Sequence, residues 1–442
     1  MTLVPRDPTA VAGSGPACGR PGKRRGLFSW ALFGWANSPL PTLIVTFIFP
    51  AYFSRALVGD EVRGQALWGY GIAVSSLVLA LVSPLLGAIA DAAGRRKPWL
   101  FGFSALCIGA CAALWFVQPG PGAVTAALLL VGLANIGYGF GVVFSNAMLP
   151  DLVPADRVGR WSGWAWALGY AGGLAALVIA LLGFVNADRP WFGLGAASGE
   201  QVRVIGPLVA FWFVLFGWPI FAFTADHASS GLGIRAATPL GIKSLGRTLR
   251  TLRSHGNILR FLLAQMIVSD GLVAVFTFGG VYAAGAFHMT IAEVTGFGIL
   301  LNVTAGLGTL AFAWVDDWLG SKPTLLISLA GLIAASTAAI LVDGILWFWI
   351  AGGILGFFVG PPQSASRSLM ARLAPVGQET QFFGLYALSG RSTAFMGPAV
   401  VGTVTALFDS QRVGLASLIA FFIVGFIFML GVVEPAAKPR RP

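Results

Sequence analysis

The chain has 442 residues, of which 57% are hydrophobic and only 10% carry a charge. A soluble domain carries about 25% charged residues, so this composition excludes a soluble globular protein. The apolar stretches are long runs rather than short alternating segments, which predicts transmembrane helices and excludes a membrane β-barrel.

The formal net charge of +11 does not predict a nucleic-acid partner, because the basic residues fall in alternate loops between apolar runs. Of the three cysteines, Cys107 and Cys111 lie four residues apart in an apolar run that has no histidine nearby. This favours core packing over a metal site, and no disulfide framework is implied. We expect no cofactor and no bound metal.

Residues 1–26 are rich in Pro, Gly and Arg and predict a disordered basic tail. The apolar run that follows is too long for a signal-peptide core and has no small-residue cleavage site. A spanning helix needs about 20 apolar residues. We therefore predict twelve spanning helices, at residues 27–53, 66–90, 98–118, 123–149, 158–186, 203–225, 258–285, 291–315, 323–342, 345–371, 380–407 and 412–433.

The longest polar break divides six predicted helices from six. We predict an N-terminal bundle at 27–225, a cytoplasmic central loop at 226–257, a C-terminal bundle at 258–433 and a tail at 434–442.

The central loop contains an amphipathic segment. Its apolar and basic side chains fall on opposite faces of a helix, which is typical of an interfacial helix on anionic lipid. A helix that binds a protein partner is the alternative. The apolar face is formed by Leu245, Leu249 and Leu252, and the basic face by Lys243, Arg247 and Arg250.

Two internal repeats indicate that the halves are duplicated. Asp91 and Gly94 recur 226 residues later as Asp317 and Gly320. The Leu-x-Pro motif at 152–154 recurs 221 residues later, at 373–375. Two matches in the same order at similar offsets predict tandem membrane bundles, an organisation typical of solute carriers.

Basic residues also set the orientation. Of the 28 Lys and Arg residues, 22 fall on the side that carries both termini and five on the other. Because positively charged loops stay inside, this predicts cytoplasmic termini.

The polar break at 87–97 contains Gly87, Asp91, Gly94, Arg95 and Arg96. This pattern, with twelve spans and a duplicated half, resembles the loop between helices two and three of the major facilitator superfamily. The resemblance implies an all-α membrane protein of two pseudo-symmetric six-helix bundles. It also implies that Gly87 permits close helix approach and that Asp91 and Arg95 belong to a charge network that latches the halves. Gly94, Arg96 and Asp317 are further candidates for conformational gating. The alternative is that the basic residues only fix topology.

Six further segments resemble the family of the fungal vacuolar amino-acid effluxer and its bacterial relatives. This resemblance implies a monomeric carrier of a small solute, suggests an amino acid as that solute, and implies a bacterial inner membrane. That family usually has an acidic residue where this chain has Gly34, which leaves proton coupling open. The segments are FGWANS at 33–38, FIFPAYF at 47–53, NAMLPD at 146–151, WALGYAGG at 166–173, SRSLMARL at 366–373 and FFGLYALSGR at 382–391.

Polar residues near the middle of predicted spanning helices are candidates for substrate binding or coupling, because polar groups are costly at that depth. Asp270 and Arg391 are the clearest pair. They could bind the charged ends of a zwitterion or exchange a proton. Alternatively, they could form a permanent ion pair or cap broken helix backbone. For Asn302, a hydrogen bond across helices is the favoured alternative. The candidates are Asn37, Asn135, Tyr170, Asp270, Asn302 and Arg391.

No nucleotide-binding loop, nucleophile elbow or metal-spaced histidine cluster appears in the sequence, so we do not expect an enzyme. The sequence predicts a secondary active transporter that works by alternating access. Its expected partners are a small-molecule substrate, protons as a candidate coupling ion, and the lipid bilayer. A non-transporting membrane sensor or scaffold on a carrier fold is the alternative.

Overall fold

A computed structural model of the chain describes residues 24–185, 190–195, 199–251, 256–289 and 291–435. These residues form sixteen α-helices with a few π-helical and 3-10 turns, and they contain no β-strand. Of the tails predicted at 1–26 and 434–442, residues 1–23 and 436–442 lie outside them, as does Leu252 of the amphipathic segment. Residues 24–26 were predicted to be disordered, and the structure corrects this, because the first helix begins at Arg24.

The N-terminal half contains eight of the helices. The first two are joined and continued by π-helical turns at Leu40–Phe47 and Phe53–Val58. Pro41 has no amide hydrogen to donate, and the wider turn lets Ile48 N donate to Leu43 O at 3.1 Å. The helices are α1 (Arg24–Asn37), α2 (Phe49–Tyr52), α3 (Glu61–Ala93), α4 (Lys97–Ala113), α5 (Ala123–Leu152), α6 (Val158–Ala180), α7 (Glu200–Arg203) and α8 (Ile205–Phe223).

The amphipathic segment forms a helix that links this half to the C-terminal half, which contains the seven helices that follow. The linking helix is α9 (Ile234–Thr251), and the others are α10 (Gly256–Phe287), α11 (Ile291–Leu319), α12 (Ser321–Leu341), α13 (Ile345–Leu373), α14 (Glu379–Arg391), α15 (Met396–Phe408) and α16 (Gln411–Leu430).

Eleven helical segments of the described chain are long and apolar enough to cross a membrane. The remaining predicted span, 380–407, is interrupted between α14 and α15, which have 13 residues each. Pro398 explains the interruption, since it lacks the amide that would donate to the carbonyl of Ala394 in a continuous helix. The segment before the break is more polar than the one after it, and this difference and Pro398 were signals of a break that the prediction of one continuous span did not use.

Both ends of the described chain lie at one end of the bundles, which we call the termini face. At this face, an acidic residue that follows the last spanning helix of each half accepts hydrogen bonds from the start of another helix in the same half. Asp226 follows α8, and its Oδ1 accepts a hydrogen bond from Lys97 N at 3.2 Å, at the start of α4. Glu434 follows α16 and accepts from Ser321 N at 2.9 Å and Lys322 N at 2.8 Å, at the start of α12. Each carboxylate stabilises a helix N-terminus, where backbone amides lack partners.

Glycines allow close packing inside each half. A Cβ placed on Gly308 of α11 would lie 1.8 Å from the carbonyl oxygen of Phe357 in α13. A backbone atom cannot move aside cheaply, so the approach of these helices depends on the glycine. By contrast, a Cβ on Gly102 of α4 would meet nothing within 4 Å.

We therefore expect Gly308→Ala to lower the stability of the protein by about 1–3 kcal/mol, the usual cost of overpacking a core. Gly102→Ala is the matched control and should leave stability equal or slightly higher, because alanine is the better helix former. Thermal unfolding of the purified protein in detergent measures both. Equal melting temperatures for the two variants would contradict this packing.

Candidate functional site

The two halves pack against each other near the termini face, where α14 runs along α3 and α6 runs along α11. Glycines again permit the contact. A Cβ on Gly87 would lie 2.4 Å from Thr380 O, and one on Gly384 would lie 2.5 Å from Ser83 O. The structure thus places Gly87 at a close helix approach, as the sequence predicted, and the approach is between the halves.

Arg96, between α3 and α4, is the central cation of this contact, with only 1% of its surface exposed. Its Nη2 lies 2.9 Å from Glu379 Oε2 and 3.6 Å from Asp91 Oδ1. Its Nη1 lies 2.6 Å from Asp151 Oδ2. Asp91 and Asp151 belong to the N-terminal half, whereas Glu379 begins α14. Removing one partner of such a buried pair costs about 3–5 kcal/mol, so this cluster holds the halves together.

The predicted partner of Asp91 was Arg95, and the structure corrects this to Arg96. Gly94 ends α3 with a φ of 88°. This left-handed turn directs Arg96 inward, whereas Arg95 is exposed. A Cβ on Gly94 would also lie 2.3 Å from Ala228 O.

Each half contributes one aspartate that accepts hydrogen bonds from the first turn of a helix in the other half. Asp91 accepts from Thr380 N at 3.1 Å and Gln381 N at 2.8 Å, in α14. Asp317 accepts from Arg160 N at 3.0 Å, in α6. The aspartates are 226 residues apart and Arg160 and Gln381 are 221 apart, which are the two offsets of the sequence repeat. The carboxylates therefore cap equivalent helices across the interface.

A second buried guanidinium crosses the interface in the opposite direction. Arg367 of α13 donates from Nε to Ser162 Oγ at 2.8 Å and from Nη1 to Asn146 Oδ1 at 3.2 Å. Its guanidinium carbon lies 5.2 Å from the ring centre of Trp30 and 5.7 Å from that of Trp166. In the described chain it has no carboxylate partner, so neutral acceptors and aromatic faces stabilise the charge.

His227 joins the Arg96 cluster from the loop after α8. Its Nδ1 lies 3.1 Å from Asp151 Oδ2, the oxygen that also contacts Arg96. The hydrogen bond with Asp151 raises the pKa of His227 above its ordinary value of 6.5. Arg96 opposes this rise and Glu379 favours it.

The predicted mid-depth residues take different roles. Tyr170 lies at the interface between the halves and accepts a hydrogen bond from Gln363 Nε2 of α13 at 2.7 Å. Asn135 donates to Ser75 Oγ at 2.9 Å, which links α5 to α3 within one half. Asn302 donates to Gly298 O at 2.9 Å in its own helix rather than across helices. Asn37 is buried at the last residue of α1, just before the π-helical turn.

Asp270 and Arg391 flank the break between α14 and α15 without pairing with each other. No ion pair within 4.0 Å joins them in the described residues, and the Arg391 guanidinium has no hydrogen-bond partner there. Asp270 is 2% exposed, and its carboxylate lies beside the hydroxyl of Thr393, which stands in the break. The α15 backbone is close, because a Cβ on Gly397 would lie 2.2 Å from Asp270 O. Charged groups at this depth are costly, which marks the break as a candidate binding site.

Helix packing explains why a glycine stands at position 34. A Cβ on Gly34 would lie 2.5 Å from Ala165 O of α6. An acidic side chain at this position would separate α1 from α6, so an acid cannot stand here without rearrangement.

Sequence reasoning did not select Glu379, Asp151 or Gln363 as site residues. Asp151 ends a segment that the family resemblance had singled out, and this was an available signal. Glu379 and Gln363 act across the interface between the halves, and nothing in their local sequence indicates the partner.

The fold and this interface define a transporter of the major facilitator superfamily. Two solved structures have the same fold. The human organic anion transporter MFSD10 (TETRAN) has a TM-score of 0.69 and 18% identity, and the match covers 93% of this chain and 100% of that one. The proton:xylose symporter XylE has a TM-score of 0.72 and 13% identity, and the match covers 94% of this chain and 97% of that one. Residues 55–440 match the family described as vacuole effluxer Atg22 like, and the chain belongs to that family.

Two relatives illustrate its range. An uncharacterized MFS-type transporter, YxiO of Bacillus subtilis (strain 168), is 26% identical over 92% of this chain and 94% of its own length. Autophagy-related protein 22 of Coccidioides immitis (strain RS) is 23% identical over 85% of this chain and 73% of its own length. The resemblance and the all-α fold predicted from the sequence are confirmed, and the family is one of transporters rather than enzymes.

Asp91 and Asp317, which each cap a helix of the opposite half, lead to a test of the interface. In a variant whose cysteines are replaced and whose buried Ser366 is changed to Cys, the new thiol is shielded while the halves are packed. Asp91→Asn and Asp317→Asn should each raise its alkylation rate about 5–30-fold, as expected for the loss of about 1–2 kcal/mol. Rates are measured with a membrane-impermeant maleimide in sealed and opened vesicles.

The control is Asp343→Asn, which makes the same chemical change in an exposed ion pair with Arg412 outside the interface. It should leave the alkylation rate unchanged. If only one of the two capping variants responds, the equivalence of the halves at this interface is wrong.

His227 predicts a pH dependence. Because its pKa is raised in the folded protein, its contribution to stability is fully present below its ordinary pKa and is lost as the pH rises through the raised value. The melting temperature of the parent should therefore exceed that of His227→Gln at acidic pH and converge with it at alkaline pH. A difference that stays constant from acidic to alkaline pH would contradict the assignment.

Proposed function

We propose that the chain is a secondary active transporter of amino acids or similar zwitterions that works by alternating access. The carrying observation is that two oppositely charged groups, Asp270 and Arg391, lie at a helix break and form no ion pair within 4.0 Å in the described residues. A zwitterion presents a carboxylate and an ammonium group, and each would satisfy one of these charges.

The helix break adds backbone groups to this site. Residues 392–395 lie outside regular helix, and Ala394 N reaches Arg391 O only at 3.5 Å, which is a weak bond. In this proposal a polar ligand competes for that amide. Gln363 and Tyr170 bridge the halves through a hydrogen bond of 2.7 Å. In this proposal they line the site and contact a polar part of the substrate.

The buried arginines supply the gate. For the substrate to leave at the termini face, Arg96 must separate from Glu379, and Arg367 must separate from Ser162 and Asn146. Both guanidinium groups would then face the water-filled path. Water replaces the partners lost, so the transition exchanges one set of hydrogen bonds for another and need not leave a bare charge in hydrocarbon.

We infer that the termini face is cytoplasmic and that the protein acts as a monomer in a bacterial inner membrane. The excess of basic residues on that side and the Bacillus subtilis relative support this placement. In this orientation the packing of the halves at the termini face would close the cytoplasmic side.

Reconstitution into proteoliposomes tests the substrate. Counterflow of labelled neutral and aromatic amino acids should be measured for the parent, Arg391→Ala and Arg391→Lys. We expect the alanine variant to lose at least about tenfold in uptake, the usual consequence of removing one charge-assisted contact, and the lysine variant to retain part of it. Arg412→Ala, on an exposed arginine outside the site, is the control and should transport normally.

The coupling role of Asp270 is tested in the same vesicles. If protons drive transport, Asp270→Asn should abolish accumulation under a pH gradient and leave substrate exchange intact. Normal pH-driven accumulation in this variant would remove Asp270 from coupling. A folded protein that shows no flux of any zwitterion would overturn the proposed substrate class and favour a sensor role.

A further inference from the structure

Helix α9 bridges the two halves outside the membrane spans. On one side, Ala237 is fully buried and a Cβ on Gly241 would lie 2.7 Å from the Ile89 backbone of α3. On the other, Ser244 Oγ donates to Gln381 Oε1 at 3.1 Å. A little further along, Thr248 bonds the side chain of Gln378, just before α14. The helix therefore covers the place where Asp91 caps α14.

The face of α9 that contacts the protein differs from the one predicted. The sequence suggested a leucine face and a basic face. In the structure, small and hydroxyl side chains face the transporter, and Leu245 is only half-buried. A second face is apolar and open, with Ile234 58%, Ile242 53% and Leu249 52% exposed. The third face is basic and exposed, and is formed by Lys243, Arg247 and Arg250.

An open apolar face beside a basic face fits the surface of an anionic bilayer. Three exposed β-branched or leucine side chains are unfavourable in water, and they would gain free energy in the boundary between headgroups and acyl chains. The adjoining basic side chains would then lie at headgroup level, where each contributes about 1 kcal/mol on an anionic surface. A protein partner would have to match both faces while leaving room for the membrane beside the bundles.

We propose that α9 is a binding site for anionic phospholipid headgroups and that binding there holds the termini face closed. The mechanism is differential affinity. Opening that face separates Gln378 and Gln381 from α3, so α9 cannot keep both of its contacts. Lipid that fixes α9 in its bridging position therefore favours the closed state. The inference rests on the proposed opening of this face and does not depend on the substrate.

The experiment measures the alkylation rate of the Ser366→Cys thiol in vesicles of phosphatidylcholine alone and of phosphatidylcholine with phosphatidylglycerol. We expect phosphatidylglycerol to slow alkylation of the parent several-fold at low salt and less at high salt, because screening weakens the contact. In the double variant Lys243→Gln, Arg250→Gln the two vesicle types should give equal rates. The matched control is Arg157→Gln, which removes an exposed basic residue that lies at the termini face but outside α9. This variant should respond to phosphatidylglycerol like the parent.

Two results would overturn the proposal: equal rates for the parent in both membranes, or a phosphatidylglycerol effect that persists in the double variant. The first result would favour a protein partner as the occupant of the exposed faces of α9. A failure of the proposed substrate is distinguishable, because it would abolish counterflow in every membrane while the lipid effect on alkylation remained.

Discussion

The organisation of this transporter depends on a reciprocal electrostatic contact, in which an aspartate of each half caps a helix of the other half. Asp91 accepts hydrogen bonds from the first turn of α14, and Asp317 accepts from the first turn of α6. A helix N-terminus needs an acceptor and a carboxylate supplies a strong one, so neither half is complete at the termini face while the other is absent. The same three hydrogen bonds that complete the helices also hold the halves together at the termini face.

In the proposed transport cycle, an interface closed by buried charged groups would open at a lower free-energy cost than one closed by apolar packing. Arg96 and Arg367 cross the interface in opposite directions, and both are buried when the halves are packed. Apolar surfaces would be exposed to water at a full hydrophobic cost on opening. In the proposed transport cycle, a guanidinium would recover much of its lost interaction from water, which would keep the two states close in free energy.

The sequence predicted most of the fold because hydrocarbon demands long apolar helices and because the halves are duplicated. It could also place Asp91 and Asp317 at equivalent positions. It could not name Glu379 or the first turns of α6 and α14 as their partners, since these contacts depend on how the halves pack. The choice of Arg96 over Arg95 depends on the turn at Gly94, where φ is 88°. At the helix break, Pro398 and the polar residues Arg391, Ser392 and Thr393 were available signals that the count of apolar residues over the whole segment concealed.

The candidate site lies where the duplicated halves stop being alike. By the 221-residue offset, Arg391 is the equivalent of Tyr170, and the break at 392–395 is the equivalent of a continuous stretch of α6. In α6 this stretch contains Gly172, whose Cβ would lie 2.6 Å from Trp35 O, so tight packing against α1 keeps the helix whole. In the C-terminal half the helix ends at Arg391, and the turns that follow it pack near Asp270. A symmetric carrier needs equivalent gates but only one polar site, and the residues that differ between the halves are those expected to determine what it binds.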